Sequence, residues 1–129
     1  MLRRTVLGVG AGLMLAAKAA AQGAVAAAPK ARFVVFYRPG PAFDPAKRFE
    51  DQPGIKAHPR YMQSLLAQGR LVVGGPFLDG SNTGLAIVEA GSLDEARAIV
   101  EGDPTVKAGL QQVDVKPWLA AFSRTFADR

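Results

Sequence analysis

The chain carries one histidine, His58, and no cysteine. Proton transfer near neutral pH therefore falls first to one imidazole, a group with an ordinary pKa of about 6.5. His58 follows Ile55 by three positions and precedes Met62 by four, which puts it on the apolar face of a helix, pointing inwards. Such a residue can be a general acid or base, or a core histidine at a helix start. Asp103 is the acid that can orient it and stabilise its charged form. Because Asp103 precedes Pro104, it also fits an ordinary helix N-cap. It does both only if one carboxylate oxygen stays free of the cap. Three further positions are substrate-binding candidates. Arg38 can clamp an anion or stand in solvent at a strand end. Tyr61, three residues after His58, can donate to a substrate oxygen or pack in the core. Gly75, in Gly74-Gly75-Pro76, permits close backbone approach or simply ends a strand.

Several chemistries are excluded. Without cysteine there is no thiolate nucleophile, no disulfide and no Cys-containing metal site, and one histidine rules out multi-His sites. Gly-x-x-x-x-Gly-Lys is missing, and no Gly-x-Gly-x-x-Gly follows a strand. No cofactor or metal is expected.

These side chains need a scaffold, and the spacing supplies one. RFVVFYR, 32–38, is β-branched and aromatic and predicts a strand ended by Pro39-Gly40-Pro41. Residues 39–54 are rich in proline and turn formers and predict a long loop of the kind that serves a site. Apolar spacing from Ile55 to Leu66 predicts a helix starting near His58, with Pro59 tolerated in its first turn and Gly69 capping its end. LVVGG (71–75) and LAIVE (85–89) predict strands joined through the turn formers of 79–84. Ser92 and Glu95 form a capping box that opens a helix to Glu101, closed by Gly102. Asp103-Pro104 starts a short helix through Ala108, and QQVDV (111–115) predicts a fourth strand ended by Pro117-Trp118.

The order β-α-β-β-α-β predicts a ferredoxin-like α+β sandwich, with four antiparallel strands and both helices on one face. RFVVFY and LAIV are apolar towards both faces, so the uncovered face is expected to pair with a second copy, a homodimer packed sheet to sheet.

The N-terminus has a basic start, an apolar run from Thr5 to Ala17 and small residues at Ala19-Ala20-Ala21. That is the pattern of a cleavable export signal over 1–21, with cleavage after Ala28 as the alternative. Arg3-Arg4 resembles a twin-arginine signal, so a periplasmic or extracellular location is expected. About 20 apolar residues are needed to span a bilayer; the run is shorter, so no membrane association is expected after cleavage. Residues 22–31 read as a flexible lead-in, 32–119 as the domain and 120–129 as a tail. Of 16 basic residues, Arg3, Arg4 and Lys18 sit in the first 28, leaving 13 against 11 acidic ones, a net +2. That balance makes no case for nucleic acid, and the strands lack the basic and aromatic signature of an RNA-binding sheet.

The segments RFVVFYRPGP, QPGIKAHPRYMQSLLAQGRLVVGGPFLDG, GLAIVEAGSLDEARAIVEGDPTVKAGL and VDVKPW resemble the YCII (YciI-related) family over about Arg32 to Leu119. The resemblance rests on a helix-opening His, Gly-Gly-Pro-Phe after the next strand, and Asp-Pro followed by Ala-Gly-Leu. It implies a dimeric α+β barrel with a His and an Asp meeting in a cavity, positions occupied here by His58 and Asp103. Fold relatives include muconolactone isomerases and small quinol monooxygenases, and elimination of halide from hydroxylated aromatics is associated with the family. The resulting expectation is a small cofactor-independent enzyme of lyase or isomerase type, acting on a cyclic or aromatic oxygenated small molecule. The alternative is a non-catalytic small-ligand-binding or stress-associated module using the same cavity.

Overall fold

Strand β1, Ala31–Pro39, lies inside a four-stranded antiparallel sheet with β2 (Leu71–Pro76), β3 (Gly84–Ala90) and β4 (Gln111–Trp118), in the order β2-β3-β1-β4. The computed structural model describes residues 30–124. The export signal, its cleavage points after Ala21 or Ala28, the lead-in up to residue 29 and the tail from residue 125 lie outside the described residues. Among the described residues no helix is long and apolar enough to cross a membrane.

The β-branched and aromatic run makes β1 the natural central strand, since both of its edges are paired. Phe33, Val35 and Tyr37 alternate onto one face and are fully or almost fully buried. Helices α1 (Ala57–Ala67) and α2 (Leu93–Glu101) pack through Leu65, Ala96, Ile99 and Val100 onto the Phe33–Val35–Tyr37 face. A single-turn helix α3, Pro104–Lys107, precedes β4. This is the expected ferredoxin-like α+β sandwich.

Local chemistry explains most boundaries. α1 ends in a Schellman turn: Gly69 has φ +71°, its N–H donates to Leu66 O at 3.0 Å, and Arg70 N–H donates to Leu65 O at 2.9 Å. Ser92 Oγ accepts from Glu95 N–H at 3.1 Å, as a capping box requires. The return bond differs: Glu95 Oε2 accepts from Gly91 N–H instead of from Ser92. Gly102 does close α2, but at φ −69°, without a left-handed turn. A β-carbon there would meet the Tyr61 hydroxyl and Ile99 O, so close approach is what requires glycine.

One expectation is corrected. Pro117 does not end the last strand; β4 runs through Trp118, and Pro117 sits opposite Phe33. β4 is an edge strand, where a missing N–H turned outward removes no ladder bond. The loop after β1 reaches the cavity, as its length and composition suggest. It holds a 3-10 turn at Phe49–Asp51 and is clasped by Gln52, which is 3% exposed. Gln52 Nε2 donates to Asp44 O at 2.7 Å and Lys47 O at 3.1 Å, while its Oε1 accepts from Asp44 N–H at 2.9 Å. The clasp brings Phe49 and Glu50 to the rim of a cavity.

The other sheet face carries Val34, Phe36, Leu85, Ile87 and Val73, the positions that alternate with the core set in the β1–β3–β2 register. Val34 and Ile87 are buried, whereas Phe36, Val73 and the neighbouring Trp118 are 39%, 52% and 42% exposed.

Candidate active site

A cavity of about 730 Å³ opens between α1, the loop after β1 and the β2–β3 hairpin, within the range of about 300–1,000 Å³ typical of small-molecule sites. Its wall is mostly apolar, with Met62, Leu66 and Phe77 among the contributors. Polar groups are the minority, and His58, Tyr37 and Gln111 are among them.

His58 occupies the second position of α1 and lines the cavity with its side chain 21% exposed. Its Nδ1 lies 2.5 Å from Asp103 Oδ2. Asp103 is fully buried and stands behind the imidazole, away from the cavity. Its other oxygen, Oδ1, caps α3, accepting from Thr105 N–H at 2.9 Å and Thr105 Oγ1–H at 2.7 Å. Asp103 is therefore a helix cap and a partner of His58 at once, one oxygen for each. Gln111 Nε2 extends the chain, donating to Thr105 Oγ1 at 2.9 Å.

Burial is the largest single influence on the Asp103 carboxyl and raises its pKa. The hydrogen bonds from His58 and Thr105 together outweigh it, and the net shift is downward. An ionised carboxylate can only accept hydrogen bonds. Nδ1 must then carry the proton, which leaves Nε2 as the ring nitrogen for the cavity. Tyr37 meets the imidazole edge-on, with ring centroids 5.1 Å apart at 63°. Its hydroxyl donates to Met62 Sδ at 3.6 Å, and burial, with the Asp103 charge second, raises its pKa so that it stays protonated. The tyrosine thus limits imidazole tilt while Asp103 fixes its rotation. Among the described residues no three His, Cys, Asp or Glu side chains cluster where they could hold a metal ion.

The other sequence candidates divide. Gly75 lines the cavity, and a β-carbon there would find nothing within 4 Å. Tyr61 does not line the cavity: its hydroxyl donates to Ile99 O at 2.5 Å, tying α1 to α2. Arg38 lies on the open sheet face, paired with Asp114. Neither is placed to touch a ligand beside His58. Thr105 and Gln111 are the residues that sequence reasoning missed. The alternation of QQVDV puts Gln111 on the same strand face as Val113 and Val115, so a polar group on the core side was the signal available.

The whole folded region matches the model of the YCII-related domain, over residues 31–119. The chain is 35% identical over 68 residues to the uncharacterized protein YjpA of Bacillus subtilis (strain 168), covering 53% of this chain and 79% of YjpA. Among solved structures it is similar to the 5-chloro-2-hydroxyhydroquinone dehydrochlorinase TftG of Burkholderia phenoliruptrix AC1100, in complex with 2,5-dihydroxybenzoquinone. That match has 30% identity and a TM-score of 0.51, covering 67% of this chain and 93% of TftG. With a family model spanning 31–119 and a fold that agrees with it, the chain belongs to the family of YCII-related domain proteins.

Proposed function

We propose that this protein is a small enzyme that moves protons on a hydroxylated aromatic or related cyclic molecule, eliminating a leaving group such as halide. The observation that carries the reading is an imidazole lining an apolar cavity with Nδ1 held 2.5 Å from a fully buried carboxylate. The similarity to a dehydrochlorinase, at 30% identity, supports the same class of chemistry.

The steps follow from the geometry. His58 Nε2 takes a ring hydroxyl proton and returns it to the halogen-bearing carbon, so an enol becomes a ketone and that carbon becomes tetrahedral. His58 then takes a proton from a second hydroxyl. The freed O–H pair forms C=O, the ring electrons shift, and the C–X bond breaks with its pair leaving as halide. The substrate loses HX overall, so no oxidant or reductant is needed. Asp103 holds the imidazole orientation and stabilises the imidazolium formed at each stage. Stopping after the first half gives isomerisation.

The test is chloride release from 5-chloro-2-hydroxyhydroquinone by wild type and His58→Ala. Loss of general base catalysis is expected to lower the rate by about 10²–10⁴-fold. Equal rates would remove His58 from the mechanism; tight binding without turnover would make the protein a ligand-binding module.

The working form in this reading is an exported homodimer. The exposed apolar Phe36, Val73 and Trp118 support sheet-to-sheet pairing, and the paired arginines and apolar run of the N-terminus support export by the twin-arginine route.

A further inference from the structure

Asp103 orders a second arm of hydrogen bonds that ends in the same cavity. Gln111 is only 3% exposed, yet it lines the cavity beside His58 and Tyr37. The chain of partners decides which end of its amide turns inward. Asp103 Oδ1 accepts from the backbone N–H of Thr105, and the same oxygen faces Thr105 Oγ1 at 2.7 Å. Facing a carboxylate, the threonine hydroxyl must spend its one proton there. Only lone pairs then remain on Oγ1 for the amide of Gln111 at 2.9 Å. The NH2 group of Gln111 therefore turns inward, and Oε1 is left with no partner among the described residues. One buried charge thus fixes two acceptors at the cavity wall, His58 Nε2 on one arm and Gln111 Oε1 on the other.

We propose that Gln111 is a specificity-determining residue whose carbonyl oxygen accepts a hydrogen bond from a second ligand hydroxyl, so that the cavity prefers rings carrying two hydroxyl donors. This rests on the reading of the cavity as the site of a hydroxylated ring. It adds the residue that recognises the hydroxyl His58 does not engage. A ring with one hydroxyl leaves either the imidazole or the amide oxygen unmatched in a dry wall, which weakens binding by about 10–100-fold.

The experiment is binding, without turnover. Hydroquinone and its monomethyl ether, 4-methoxyphenol, are titrated anaerobically into wild type and Gln111→Met by calorimetry. Methionine keeps length and removes the acceptor. Wild type is expected to prefer hydroquinone by about 10–100-fold, and the preference should collapse towards unity in Gln111→Met while 4-methoxyphenol affinity holds. An unchanged imidazole nitrogen-15 spectrum in the variant shows that the His58–Asp103 pair is intact, which a merely structural role for Gln111 would disturb. Gln111→Ala serves if the methionine variant does not fold. A wild-type ratio near unity, or a preference that survives both substitutions, overturns the proposal. Failure of both phenols to bind wild type overturns the proposal together with the reading of the cavity. Failure of chloride release with the preference intact overturns only the reaction.

Discussion

Replacing Asp103 with asparagine separates its two jobs. At the Oδ1 position the amide oxygen still accepts from Thr105 N–H and Oγ1–H, so the α3 cap survives. At the Oδ2 position an NH2 group now faces His58 Nδ1, which lay 2.5 Å from the carboxylate. A donor cannot satisfy a donor, so the neutral imidazole must move its proton to Nε2 and accept through Nδ1. The cavity then meets N–H where it met a lone pair, and the proton acceptor is gone. A hydrogen bond to a charged group, of about 1.5–3 kcal/mol, gives way to a neutral one of about 0.5–1.5 kcal/mol. Stability should therefore fall by only about 1–2 kcal/mol, while turnover falls by about 10²–10⁴-fold. Because the chain has one histidine, nitrogen-15 spectra report the tautomer without assignment, and chemical denaturation gives the stability. Asp103→Asn with the wild-type tautomer and undiminished turnover would leave Asp103 a helix cap and refute the orienting role.

Acid should act through the same carboxyl. Its folded pKa is held below the ordinary value, so its contribution to stability is present above about pH 4 and is lost as pH falls through the lower folded value; denaturation at stepped pH should show the gap between wild type and Asp103→Asn closing in acid, and a pH-independent gap would contradict this. Gly75→Val should fold as well as wild type, because its new β-carbon meets nothing within 4 Å and, opposite Leu85, stands on the open sheet face; urea unfolding checks it. Leu65→Ala, at a site 2% exposed on the inner face of α1, should lose about 2–5 kcal/mol in urea unfolding. Light scattering on the chain from Gln22 onwards should give a dimer, and a clean monomer would remove the sheet-to-sheet pairing.

Much of the scaffold was legible because its signals are local. The run of Phe33 to Tyr37 marks a central strand, and Ser92 with Glu95 or Asp103 with Pro104 marks helix starts in adjacent residues. Pro117 misled because a proline stops a strand only where its N–H is needed, and edge position is a property of the sheet order. At the site, the inward face of His58 followed from helical spacing. Its meeting with Asp103, 45 residues away, came from family resemblance and not from spacing. Tyr61 shares the helix with His58, but three positions turn it far enough towards α2 to reach Ile99. Thr105 and Gln111 carry no chemistry that composition singles out, and their importance arises from the carboxylate they surround.

The sharing of Asp103 between a helix end and an imidazole also bears on how the site would decay under relaxed selection. Losing His58 would strip Asp103 Oδ2 of its partner and leave a buried carboxylate half-satisfied. Asparagine at 103 would keep an acceptor for Thr105 and carry no charge. Descendants that have lost the chemistry should therefore lose the pair together, the carboxylate giving way to a neutral helix cap.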